Sequence, residues 1–131
     1  MIGLDTNVLL RFFIKDDPKQ SAKVRAVLSA LSSKDPGWVG LAVVQELVWV
    51  LTSVYQANRS DVLGFLERLL SIDEIVVEQA DVVQQATRVY GATKVSFSAC
   101  LIVASASAAG CIQTLTFDRQ AAKSAGMTLI S

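Results

Sequence analysis

Three carboxylates stand out in this chain: Asp5, Glu46 and Asp118. Asp5 closes the apolar run that begins at Met1, and Asp118 follows the run from Ile112 to Phe117, so each reads as an acid delivered by the end of a short strand. Glu46 lies one turn after Val43 and one turn before Val50, a spacing that places it on the apolar, inward side of a helix. A desolvated carboxylate needs a cation, a hydrogen-bond network or a raised pKa. Each acid also has an ordinary reading, Asp5 as the cap of the helix that follows and Glu46 as a side chain snorkelling to water or paired with an Arg. Taken together, three inward acids without an evident buried cation would repel one another. A divalent ion with oxygen ligands, magnesium or alternatively manganese, relieves that repulsion. Water held on such an ion makes phosphodiester hydrolysis the natural reaction class. Thr6 and Asn7 shape the turn beside Asp5, while Asn7 and Thr116 are placed to orient ligands or the bound water. Arg11, Lys15, Arg119 and Lys123 are candidate phosphate contacts, although a basic helix residue is usually just solvated surface.

Alternating strands and helices must position these groups. Helical spacing runs from Thr6 to about Ile14, and Asp17 followed by Pro18 marks the start of a second helix. A short strand at Trp38–Gly40 leads into a strong helix from Leu41 to about Tyr55, with Val43, Leu47, Val50, Leu51 and Val54 on its buried side. Ser60 and Asp61 open another helix, Ile72 to Val77 contains a β-branched strand, and Asp81 to Tyr90 is helical again. Ser96 to Ala109 is small and apolar almost all round, which predicts a central, closely packed helix ended by Gly110. A strand at Ile112–Thr116, a short helix at Arg119–Ala125 and a last strand at Met127–Ile130 complete the chain. The pattern predicts an α/β fold with a parallel sheet and helices on both faces, whose ligands bind beyond the carboxyl ends of the strands. Asp5 and Asp118 would converge there if their strands were neighbours.

Composition narrows the chemistry. The length of 131 residues suits one domain with one core that buries about two thirds of the unfolded surface. No histidine is present, which removes histidine bases, Ser-His-Asp triads and most zinc sites. Twelve basic and twelve acidic residues cancel, so a nucleic acid would be held by a local patch rather than by the overall field. Neither a bilayer-length apolar run nor an export signal is evident, because Asp5 interrupts the N-terminal apolar segment. A cytoplasmic protein without membrane association is expected, with Cys100 and Cys111 as reduced core thiols.

Four segments resemble a known family: Ile2-Gly-Leu-Asp-Thr-Asn-Val-Leu-Leu-Arg11, Val44-Gln-Glu-Leu-Val-Trp-Val-Leu51, Phe97-Ser-Ala-Cys-Leu-Ile102 and Leu115-Thr-Phe-Asp-Arg119. Over essentially the whole chain they look like a PIN domain of the VapC type, the toxin of a bacterial toxin–antitoxin pair. The resemblance implies a single domain over 1–131, built as a three-layer α/β/α sandwich on a five-stranded parallel sheet. It also implies magnesium-dependent endoribonuclease activity, homodimerisation and a small VapB-type antitoxin as partner. Position by position, the family's metal-binding acids fall on Asp5, Glu46 and Asp118. Its central acid falls on Ala99, where relatives read Asp-Phe-x-Asp and this chain reads Ser96-Phe-Ser-Ala99. Ser96 keeps the helix cap, but Ala99 offers neither charge nor a ligand oxygen. The expected consequence is severe loss of magnesium affinity and hydrolysis, with the fold and protein contacts kept.

A second reading is a PIN-like binding module that holds antitoxin or RNA without cutting. A third, a phosphoacceptor domain of receiver type, fits poorly, because Asp5 is followed by Thr6 and Asn7 rather than by a second acid, and no lysine follows Ala125. Phe12, Phe13, Trp49 and Tyr55 are candidates for a dimer or antitoxin contact, with core packing as the alternative role.

Overall fold

Polar side chains fix where the helices begin. Asp17 accepts from the Gln20 N–H, with Pro18 at the first helical position; Asn58 accepts from the Asp61 N–H, and Ser96 from the Ala99 N–H. The computed structural model describes residues 1–130. In order they form β1 (Ile2–Gly3), α1 (Thr6–Phe13), α2 (Pro18–Ser29), β2 (Gly37–Val39), α3 (Leu41–Ser53), α4 (Arg59–Ser71), β3 (Ile75–Val77), α5 (Ala80–Ala92), α6 (Phe97–Ala108), β4 (Leu115–Thr116), α7 (Arg119–Ser124) and β5 (Thr128–Leu129). Every element expected from the pattern is present, and most shifts lie within a few residues at the ends.

All strand pairs are parallel, but they belong to two sheets. One has the order β1-β2-β3, the other pairs β4 with β5. The expected single five-stranded sheet is therefore not formed by the described residues. On β1, the Ile2 and Leu4 N–H groups donate to Pro36 and Trp38 of the β2 side, at 3.0 and 2.9 Å. On β4, the Thr114 and Thr116 carbonyls accept from Thr128 and Ile130, at 2.7 and 2.8 Å. The opposite edge of each strand is left open. With β1 and β4 two residues long, each contributes few ladder bonds and little burial, and both keep an exposed apolar side chain: Ile2 at 48% and Leu115 at 55%. Gly110, at φ +92°, ends α6 and leads through exposed Cys111 and Ile112 into the β4–α7–β5 unit.

The core lies under the other sheet. Gly37 and Val39 of β2 and Ile75 and Val77 of β3 share its buried face, whereas half-buried Trp38 and exposed Val76 share the opposite one. Fully buried Leu47 and Leu51 of α3, Val62, Leu66 and Leu69 of α4, and Val83 and Ala86 of α5 complete one apolar cluster. Helices α5 and α6 make the most extensive helix pair. Helix α6 is not buried all round as expected: Phe97, Cys100, Leu101 and Ala104 face the core, and Ile102, Ser107 and Ala108 face outward. Small residues on both faces hid that asymmetry in the pattern.

The two thiols also differ from expectation. Cys100 is buried and Cys111 exposed. Burial pushes the Cys100 thiol above its ordinary pKa, against the opposing pull of the Arg59 charge. Its folded pKa exceeds the unfolded one, so this contribution to stability is complete below the ordinary thiol range and is lost as pH rises through it. Alkylation with iodoacetamide should modify Cys111 rapidly and Cys100 only on unfolding; equal rates for both thiols would contradict the packing of α6.

Candidate functional site

Asp5 ends β1 as the N-cap of α1, its Oδ1 accepting from the Thr6 N–H at 2.8 Å. It is exposed rather than desolvated, because β1 is an edge strand and no strand among the described residues pairs with its outer side. Asp118 repeats the arrangement after β4. Its Oδ1 accepts from the Gln120 and Ala121 N–H groups at 2.8 and 3.1 Å, and its own N–H donates to Thr116 Oγ1 at 3.0 Å. Thr116 thus orients the acid. Asn7 is exposed, whereas Thr6 is buried with a hydroxyl that finds no hydrogen-bond partner among the described residues. Leaving such a hydroxyl unpaired costs about 1–3 kcal/mol, an unusual expense beside an acid-bearing turn.

Glu46 does not face inward as its spacing suggested. The buried stripe of α3 is Val44, Leu47, Val48 and Leu51, which turns Val43 and Val50 to the flank and leaves Glu46 exposed. Two apolar stripes are legible in so hydrophobic a helix, and packing chose the other one. The start of α6 is held against the same stretch. Ser98 Oγ donates to Gln45 Oε1 at 3.2 Å, so half-buried Ala99, in the first turn of α6, stands close to the segment that carries Glu46.

One acid of this region was not singled out from the sequence. Glu78 follows β3 as Asp5 follows β1, and its Oε1 accepts from the Leu41 N–H at 2.8 Å. Gly40, the N-cap of α3, has no side chain, so Glu78 supplies the missing cap and fixes the helix that bears Glu46. The available signal was the same one used for Asp5, an apolar run ending in a carboxylate.

The basic residues divide. Arg11 sits in the last turn of α1, at the other end from Asp5, where it donates to Gln20 (2.6 Å), Asp16 (3.0 Å) and Tyr55 (3.3 Å). Its pKa is raised, first by the Tyr55 hydroxyl, then by the Asp16 charge, against some desolvation. Lys15, Arg119 and Lys123 are exposed and pair with no carboxylate among the described residues.

As arranged, these residues do not fit a divalent ion. Among the described residues no three metal-ligating side chains are gathered at one point, Asp5 and Asp118 each commit an oxygen to a helix cap, and Ala99 has no donor.

The family model of the PIN domain matches residues 2–127. The chain is a PIN-domain protein. No curated protein matches it in sequence. PIN domains have an α/β, nuclease-like fold and are generally metal-dependent nucleases that usually use divalent ions, and membership points to interaction with nucleic acid. In this PIN domain no helix among the described residues is long and apolar enough to cross a membrane.

Proposed function

We propose that this PIN domain, spanning the whole of 1–131, is the VapC-type toxin of a toxin–antitoxin pair, an endoribonuclease impaired by Ala99. With an acid restored at position 99 and the strand-end acids brought together, Asp5, Glu46 and Asp118 would form the ligand set, with magnesium as the ion and manganese as a substitute. Ala99 carries the reading. It occupies the first turn of the helix that Ser98 ties to Gln45, the place where an added carboxylate would join that of Glu46. An ion held by those carboxylates would supply charge neutralisation and Lewis acidity. Thr6, Asn7, Thr116 and Arg119 serve as orienting or phosphate-binding groups, whereas Arg11, expected among them, is committed to Gln20, Asp16 and Tyr55 at the far end of α1. The unpartnered Thr6 hydroxyl beside Asp5 supports that assignment.

The cutting form has one five-stranded parallel sheet inside an α/β/α sandwich. Support comes from the open strand edges. Pairing on β2 leaves the Gly3 N–H and carbonyl unused, and pairing on β5 leaves the Leu115 carbonyl and Phe117 N–H unused. Joining these four groups adds β4 to β1 in parallel and brings Asp5 and Asp118 to the same end of the sheet. Amide exchange at Phe117 should therefore slow when an Ala99→Asp protein is given magnesium; unchanged exchange would count against closure.

The partners in this reading are RNA, a VapB-type antitoxin and a second copy of the chain, all met in the cytoplasm. Half-buried Phe12 and Tyr55 support a protein contact, whereas Phe13 is core. The second reading, a non-cutting PIN module that retains antitoxin or RNA, is favoured by the ungathered acids. Incubation of RNA with the chain and with its Ala99→Asp variant, with and without magnesium, separates the two. Cleavage only by the variant with magnesium supports the nuclease; no cleavage by either protein supports the module.

A further inference from the structure

A cavity of about 260 Å³ opens beside the Ser98–Gln45 contact, between α3, the start of α4, the end of α5 and the start of α6. It is lined by one cation, Arg59, and by no acid. Arg59 Nη2 donates to the Tyr90 and Val95 carbonyls, both at 2.7 Å, and the guanidinium lies 3.8 Å from the centre of the Tyr90 ring. These contacts hold the fork rigid while using a single nitrogen. Nη1 and Nε donate to no protein group, and no carboxylate pairs with Arg59, among the described residues. A rigid fork with free donors and no counter-charge suits a phosphate oxygen. At the rim, Trp49 is 62% exposed, although a large aromatic normally buries most of its area. Gln45 accepts from Ser98 through Oε1, which leaves its amide N–H₂ to donate.

We infer that this cavity is a nucleotide subsite for single-stranded RNA, in which Arg59 binds a backbone phosphate, Trp49 stacks a base and Gln45 donates to that base's edge. The inference rests on the ribonuclease reading and extends it. Gln45 and Ser98 adjoin Glu46 and Ala99 in the chain, so the subsite holds a nucleotide neighbouring the one at the acids. An open indole face takes a base that is already unstacked, so single-stranded RNA is favoured over duplex.

Anisotropy of a short, mixed-sequence, 5′-fluorescein single-stranded RNA tests this on the chain as it stands, without turnover. Trp49→Ala should weaken binding about tenfold, and Trp49→Phe should restore most of the loss. Arg59→Met should lower the slope of log affinity against log salt by about 0.7, a change that a purely structural clamp would not produce. The duplex of the same sequence should bind more weakly than the single strand. Should Arg59→Met fail to fold, Trp49→Ala and Gln45→Ala decide the matter. Unchanged RNA affinity in Trp49→Ala overturns the subsite, and if that variant instead alters the oligomeric state on gel filtration, the indole belongs to a protein interface. Cleavage by Ala99→Asp that is insensitive to Trp49→Ala would overturn the subsite and leave the ribonuclease standing. Neither binding nor cleavage would overturn both.

Discussion

The Ala99→Asp protein is expected to cleave RNA with magnesium at least about a hundredfold faster than the unaltered chain. The estimate is a floor, because groups that merely orient a metal's ligands already contribute about 10–100-fold in affinity or activity, and position 99 is assigned a ligand. The variant should fold. Ala99 is half-buried in the first turn of α6, where its N–H bonds to Ser96 Oγ at 3.2 Å, and an acid near a helix N-terminus is favoured by the backbone dipoles. Adding Glu46→Gln to the same protein should return cleavage to background. Glu46 is exposed and its carboxylate makes no hydrogen bond or ion pair among the described residues, so that loss would report chemistry rather than unfolding. Cleavage that survives Glu46→Gln would place the active acids elsewhere.

Leu47→Ala is expected to lower the unfolding free energy by about 3 kcal/mol and the melting temperature by about 10 °C. Leu47 has no exposed surface and sits in α3 within the apolar cluster, where the rigid surroundings would leave a cavity. Leu115→Ala provides the contrast. Leu115 is 55% exposed on β4, away from that cluster, and its truncation should cost less than about 0.5 kcal/mol in the two-sheet form. Urea denaturation of both variants measures the difference. A loss near 2 kcal/mol at Leu115 would mean that β4 is already packed on β1 in the free chain.

The placement of helices was legible because caps and turns are local. Asp17-Pro18 and Ser96 act on the backbone within three residues, so the sequence carried their meaning without the fold. Which face of a helix turns inward is a tertiary matter. In α3, apolar residues fill both candidate stripes, and the choice between the stripe with Val43 and Val50 and the stripe with Val44 and Val48 depends on the β-sheet and helices packed against it. Glu46 therefore lies on the exposed side of α3 and not on the inward side its spacing suggests. Asp5 and Asp118 do follow short strands, as the apolar runs before them suggest, and the cap is foreseen for Asp5 alone, as its ordinary reading. The pairing of their strands was not legible, since a two-residue strand has too little alternation to specify a neighbour. Arg59 showed no motif; its uncommitted fork exists only because Tyr90 and Val95, far along the chain, supply the carbonyls that hold it.

Thermal melting against magnesium concentration tests most directly whether Asp5, Glu46 and Asp118 form a site that lacks its acid at position 99. Binding to the folded state alone stabilises it by about 2.7 kcal/mol at one hundred times the dissociation constant. The melting temperature of Ala99→Asp should therefore climb with added magnesium while that of the unaltered chain stays level. An equal rise in both proteins, or no rise in the variant, would contradict the site.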